Sequence, residues 1–416
     1  MLAVGDQGRP VGVSPPGASA PFSEGLLTEL WEGQRFPPRA LATRQGQRLR
    51  VVYRGRANRG PGPDFRDAVI AAPWGILRGD VELHVRASAF RRHGHQQDTA
   101  YDRLALHVVF WDDEGEDTLL SSGRRAPVAA LAPWTERRAE EIHRWLRRPS
   151  RWREPCQGAL ERLGAEAVMA ALDGLGQQRF REKAEAMRRL LEEAPADEVV
   201  WQGLLEALGY GGDRQAFRVL ALEVPWRWIA ERLHRLPASR RVDEARLLLA
   251  SAAPTLAGRA GQGRPGNEGW RRLEGAARLA ARFCAGGLAS RLQAVLAGSA
   301  PGDSAPLLAA LRAAGGPWSR QAFIGRGRAL EIAINVVLPY AAARGDSVLA
   351  QKAEALYRRL PRPAPYGALR HLDRAVGWGV RVDARRQQGM LHLFHYYCRQ
   401  GGCTRPSVKG DRCPLA

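Results

Sequence analysis

The spacing of apolar positions changes several times along the 416-residue chain. Residues 1–20 offer little to bury against the entropy of ordering, so they are expected to form a disordered tail. Over 23–31, Leu26, Leu27, Leu30 and Trp31 fall on one helical stripe behind Ser23, a good N-cap, which predicts a short amphipathic helix. Between 48 and 121 the runs become short, aliphatic and β-branched, at 49–53, 67–72, 76–85 and 104–111. The turn signals Gly60-Pro61-Gly62-Pro63, Pro73-Trp74-Gly75 and Asp112-Asp113-Glu114-Gly115 separate them. Past residue 155 helical spacing returns, at 160–172, 177–193, 201–208, 214–222, 226–236, 242–252, 271–282, 305–313, 328–342 and 347–360. A Gly-rich connection over 257–269 interrupts it, and no repeat period emerges. The pattern predicts an α+β domain over 21–155 and a large all-α domain over 156–384. A helix and a Cys-bearing tail over 385–416 complete the chain.

Charge adds a partner to this outline. The chain carries 63 basic and 43 acidic side chains, a formal balance of +20, and only Lys183, Lys352 and Lys409 among the basic residues are lysine. So strong an arginine bias follows base composition and says little about guanidinium chemistry, but the positive excess survives. Residues 1–150 hold 22 basic and 18 acidic groups, and the remainder 41 and 25. A polyanion such as nucleic acid, DNA above all, suits the second region; a solvated basic surface is the plain alternative. No run approaches the roughly 18 uncharged apolar residues of a membrane helix. The N-terminus lacks a basic start followed by an apolar block. A cytoplasmic protein without a membrane partner is expected.

Candidate chemistry concentrates in Gly62-Pro63-Asp64-Phe65, Gly79-Asp80-Val81-Glu82-Leu83-His84-Val85 and His93-Gly94-His95 with Asp98. Strand alternation puts Val81, Leu83 and Val85 on one face and Asp80, Glu82 and His84 on the other. A hairpin would bring Asp64, at the start of the preceding strand, beside Glu82. Two converging carboxylates suit a hard divalent cation, Mg²⁺ or Mn²⁺, able to activate water against a phosphodiester. The alternative is a solvated strand face with Asp64 capping a turn. His93, His95 and Asp98 either hold Zn²⁺, line the lip of the same site, or form a hydrogen-bonded turn. His107, inside an apolar strand, reads as a core histidine.

The order Pro63-Asp64, then Glu82-Leu83-His84 on the next strand, resembles the restriction-endonuclease-like PD-(D/E)XK phosphodiesterases, with His84 where that family commonly has Lys. The resemblance implies a nuclease in which Asp64 and Glu82 bind the metal, His84 positions the water, and an acid of the preceding helix, Glu24 or Glu29, completes the site. A histidine there would titrate near neutrality, so activity is expected to fall at acidic pH. Over nearly the whole chain the sequence is also similar to a bacterial domain-of-unknown-function family. Its hallmarks stand here as Gly62-Pro63-Asp64-Phe65, Gly79–Val85, His93-Gly94-His95 and Ala100-Tyr101-Asp102, with later ones at Pro155-Cys156, Leu208-Gly209-Tyr210, Arg264-Pro265-Gly266-Asn267, Asn335–Pro339 and Tyr397-Cys398.

Cys156, Cys398, Cys403 and Cys413 resemble, in the arrangement of one thiol upstream and three near the C-terminus, the iron–sulfur staple of certain DNA-processing nucleases. They would serve a [4Fe–4S] cluster or a structural Zn²⁺, or remain free thiols. Cys284, ending an apolar helix, reads as core. Arg264, Asn267, Arg271 and Arg272, and the Gly325-Arg326-Gly327-Arg328 run, are candidate phosphate contacts. The expected function is metal-dependent nucleic-acid hydrolysis. A degenerate nucleic-acid-binding protein and a hydrolase of a small phosphorylated substrate are the other two classes.

Overall fold

The computed structural model describes residues 23–37, 40–58, 60–131, 146–150, 156–209, 213–257, 268–315, 322–376, 379–400 and 413–415. The expected disordered tail, Cys403, Arg264 and Asn267 lie outside them. The chain divides into two compact units, Met1–Ala159 with Leu393–Ala416, and Leu160–His392.

The first unit is a mixed sheet with helices. Helix α1 (Glu24–Gly33) starts where its cap predicts, the Ser23 hydroxyl accepting from Leu26 N–H at 3.2 Å. Eight strands follow: β1 (Arg50–Tyr53), β2 (Arg56–Ala57), β3 (Phe65–Ala72), β4 (Gly75–Arg86), β5 (Leu104–Trp111), β6 (Thr118–Leu119), β7 (Arg125–Ala126) and β8 (Val128–Ala130). The main sheet runs β1-β3-β4-β5-β8, with β2 also on β3 and β6-β7 a separate ribbon. β3 is antiparallel to β1 and β4, whereas β4, β5 and β8 are parallel. The parallel step from β4 to β5 needs a crossover. It contains helix α2 (Ala89–Arg92) and two 3₁₀ turns, His95–Gln97 and Thr99–Tyr101.

Leu27, Leu30 and Trp31 of α1 pack on Phe65, Ile70, Val81, Leu83, Leu106, Val108 and Phe110. Each such side chain contributes roughly 1.5–3 kcal/mol by leaving water. The Trp31 indole N–H, buried with this cluster, donates to the Arg54 carbonyl at 3.0 Å. The polar residues between these apolar ones, Glu82, His84 and His107, therefore face away from α1.

β3 carries a bulge. Phe65 pairs with Val81 but Ala68 pairs with Gly79, leaving one extra residue on β3. Asp67 takes up the excess at φ 59°, a left-handed conformation that Asp tolerates better than most. Its N–H donates to Asp80 Oδ1 at 2.9 Å, and Arg56, Arg103 and Arg399 surround its carboxylate. Arg399 stands on a 3₁₀ turn, Cys398–Gln400, of the C-terminal segment.

The described elements of the second unit are helices, apart from one antiparallel bridge between Ala313 and Ile324. Its longest helix, Ala165–Glu193, fuses the two segments expected at 160–172 and 177–193. Gly174 and Gly176 read as breakers, yet a Cβ at Gly176 would lie 2.1 Å from the Arg385 carbonyl oxygen. That glycine serves close helix packing inside a continuous helix. A short helix, Ala159–Leu163, precedes it, and Gly164 at φ 79° makes the break. Leu288–Gly298 is a further helix that periodicity did not mark. No described helix is long and apolar enough to cross a membrane.

Candidate functional site

β4 alternates as expected, but its polar face is covered. Glu82 and His84 are 5% and 2% exposed, which excludes a solvated strand face. The antiparallel β3–β4 pairing, closed by the two-residue turn Pro73-Trp74, sets Asp64 beside Glu82. Asp64 N–H donates to Glu82 Oε2 at 3.0 Å, and Leu83 N–H donates to Asp64 Oδ2 at 3.0 Å. Gly79 is required just upstream, because a Cβ there would lie 2.1 Å from the Arg103 carbonyl oxygen.

The crossover supplies the other side. Gly94, at φ 77°, turns the chain between His93 and His95, a conformation glycine adopts without strain. Both imidazoles then meet His84. His84 Nε2 lies 3.2 Å from His93 Nδ1, and His84 Nε2 and His95 Nε2 each lie 3.6 Å from Glu82 Oε1. One ring nitrogen from each of His84, His93 and His95 lies within 4.8 Å of the other two, the closest grouping of possible ligands among the described residues. Behind them His84 Nδ1 is 3.0 Å from His107 Nε2, and His107 Nδ1 is 2.7 Å from Thr118 Oγ1. Tyr101 stacks on His95 at 4.2 Å between centroids, and Phe90 sets its edge against His84 and His95.

His107, Thr118, Tyr101 and Phe90 were not singled out as site residues from sequence. His107 is the core histidine expected, fully buried, but it also bridges Thr118 to His84. Alternation along β5 held the signal: Leu106, Val108 and Phe110 join the core under α1, so His107 points to the face of Glu82.

Burial raises the carboxyls of Asp64, Glu82 and Asp80, and arginines oppose that shift at Asp80. Burial, with Asp64 and then Glu24 nearby, pushes the Glu82 carboxyl up to about 9. Burial raises Asp64 as well, against the bond from Leu83 N–H and with a smaller push from Glu24. Among the described residues no guanidinium offsets either group, whereas three arginines hold Asp67. The imidazoles shift the other way. Burial and then His107, His93 and His95 bring His84 down to about 2, and burial with His95 brings His107 to about 3. The expected titration of His84 near neutrality is thereby corrected. Burial and the site carboxylates raise the Tyr101 hydroxyl, which stays a proton donor.

The remaining expected residues are placed as follows. Glu24 lies in the first turn of α1, within electrostatic reach of both acids, while Glu29 pairs with Arg35 at 2.5 Å. Asp98 Oδ1 accepts from Ala100 N–H at 2.8 Å and caps a 3₁₀ turn, reaching His95 through its field. Cys156, Cys398 and Cys413 are buried, and among the described residues they form no grouping as tight as the histidines. Cys284 is also buried. Arg272 corrects its expectation: it is 7% exposed, ion-paired with Asp213 and set over Phe217, so it is a core group. Arg271 lies over Trp270 and Phe323 at 5.3 and 5.4 Å. Arg326 is exposed in the first turn of Arg326–Ile332, and Arg328 is half-buried, 3.5 Å from the Ala207 carbonyl oxygen.

Comparison with curated proteins and with solved structures returned no significant match. A family model does match, over residues 24–242, which takes in α1, the whole sheet and its crossover. The chain belongs to the family described as protein of unknown function (DUF2851).

Proposed function

We propose that the N-terminal unit hydrolyses phosphodiesters of nucleic acid with a divalent cation, on a core of the restriction-endonuclease-like kind. The observation that carries this reading is the pair Asp64 and Glu82, a half-buried and a buried carboxylate with no compensating guanidinium among the described residues, beside His84. The order of α1, the β1, β3 and β4 strands, a crossover helix and β5 supports the same core. So does Pro63-Asp64 immediately before one strand with Glu82-Leu83-His84 on the next.

The donor set fits a hard divalent cation. Oxygen ligands of net negative charge, strained by burial, are what Mg²⁺ or Mn²⁺ relieves. Asp64 and Glu82 would hold it, with Glu24 adding field. The chemistry such an ion supplies when bound is a more acidic water and neutralised charge on the phosphate. The chain's own groups do the rest. His84 and His95, kept neutral by burial, line the wall beside Glu82 Oε1 against which the attacking water is positioned. The Tyr101 hydroxyl lies on the same wall, 3.5 Å from His95 Nε2. The positive excess beyond residue 150 supports a polyanionic substrate.

The test is cleavage of DNA and RNA with Mg²⁺ or Mn²⁺, comparing the parent with Asp64→Asn and Glu82→Ala. Loss of at least about a hundredfold in both variants is expected, as for removal of a group acting on the transition state. Equal degradation by parent and variants would assign the activity to a contaminant. Salt-sensitive binding without turnover would turn the reading to a degenerate nucleic-acid binder.

A further inference from the structure

Glu82 separates two kinds of donor. Its Oε2 faces Asp64 N–H and the carboxylate side, and its Oε1 faces imidazoles. The spacings on the imidazole side can be compared with a coordination shell. Nitrogen and oxygen ligands at about 2.1 Å from a tetrahedral ion stand about 3.4 Å from one another. The separations here are 3.2 Å between His84 Nε2 and His93 Nδ1, and 3.6 Å from Glu82 Oε1 to both His84 Nε2 and His95 Nε2.

The support behind His84 follows the pattern of a ligating histidine, whose second nitrogen donates to a fixed acceptor. With the protons directed towards Thr118, His84 Nδ1–H donates to His107 Nε2 and His107 Nδ1–H donates to Thr118 Oγ1. That tautomer leaves the Nε2 lone pair of His84 on the site side. His84, His107 and Thr118 are all under 8% exposed, so the ring is held before any ion arrives. His93 is exposed and the His95 side chain is 20% exposed, which gives the pocket an entrance.

We propose that His84, His93 and His95, with Glu82 Oε1, form a transition-metal site of the zinc class, separate in donor chemistry from the carboxylate pair. Imidazole suits Zn²⁺, Cu²⁺, Ni²⁺ or Fe²⁺, with Co²⁺ as a stand-in for Zn²⁺, over Mg²⁺, Ca²⁺ and Mn²⁺. The inference stands apart from the hydrolase reading, since uptake of an ion is measured without substrate.

The test uses the full chain, freed of metal by a chelator and titrated with Co²⁺ while visible absorption is read, then with Zn²⁺ and Mg²⁺ by calorimetry. One equivalent of Co²⁺ with the bands of nitrogen and oxygen ligation is expected, and Zn²⁺ should displace it. His93→Ala and His95→Ala lie outside the core and should fold as the parent does. Each should weaken Zn²⁺ at least about tenfold, and Thr118→Val, which removes the anchor of His107, about 10–100-fold. Asp64→Asn should leave Zn²⁺ uptake intact. Unchanged isotherms for His93→Ala and His95→Ala overturn the proposal. So does sulfur-to-cobalt charge-transfer absorption unaffected by them, which would put the ion on cysteines. Intact Co²⁺ binding in a protein that cleaves nothing defeats only the hydrolase reading.

Discussion

Glu82→Gln should make the protein more heat-stable at alkaline pH while abolishing its response to Mg²⁺ and Mn²⁺. A carboxyl whose pKa rises on folding lends stability that is complete below its ordinary value and is lost as pH climbs through the folded one. For Glu82 that window runs from 4.5 to about 9. At 1.36 kcal/mol per pKa unit, the part below pH 8 is worth about 5 kcal/mol. Relaxation around Asp64 absorbs part of this, leaving about 2 kcal/mol. For a unit of this size that equals about 4–8 °C in Tm. Gln stays neutral and keeps an acceptor for Asp64 N–H, so the β3–β4 contact survives. The assay is thermal unfolding in chelator from pH 5 to 9. The variant should match the parent near pH 5 and exceed it by about 4–8 °C at pH 8. Added Mn²⁺ should raise Tm of the parent alone. A variant that melts below the parent at pH 8, with a parallel pH profile, would refute the claim that burial of this charge is uncompensated.

Other consequences are simpler to check. Burial raises the Asp67 carboxyl, but Arg56, Arg399 and Arg103 together outweigh it and lower its pKa. Its contribution is therefore present above its ordinary 3.8 and lost as pH falls through the folded value. Asp67→Asn should cost about 3 kcal/mol at pH 7 in denaturant unfolding, with the deficit shrinking in acid. Gly176→Ala forces a Cβ against the Arg385 carbonyl and should cost more than about 2 kcal/mol. Gly174→Ala, two residues away on the same helix, meets nothing within 4 Å and should stabilise by about 0.5–1 kcal/mol. Equal effects at the two positions would remove the packing argument. Ser23→Ala should lower stability by about 1 kcal/mol through loss of the α1 cap, measured by the same unfolding assay.

The parts of this architecture that sequence made visible are those governed by local rules. The Ser23 cap and the Leu26–Trp31 stripe define α1 because capping and helical period act within one turn. The Asp64–Glu82 contact was legible because a two-residue turn leaves an antiparallel pair little choice of register. Long-range fits were not. The partners of Arg272 and Gly176, Asp213 and Arg385, are distant along the chain, so one looked like a surface cation and the other like a breaker. β8 is three residues long and owes its place to a neighbour. The bulge at Asp67 left no mark in a run that otherwise alternates. His84 kept its position but not its expected titration, since burial follows from a crossover whose path the local pattern does not specify.

Arg399, seventeen residues before the end of the chain, closes on the bulge three residues from Asp64. Arg56 and Arg103 reach Asp67 from within the sheet region, whereas this guanidinium is supplied from 332 residues further along the chain. A prematurely terminated chain would thus carry every acid and imidazole of the pocket on a strand still lacking one of its tethers. The bulge beside the pocket is anchored by a segment remote from it in sequence.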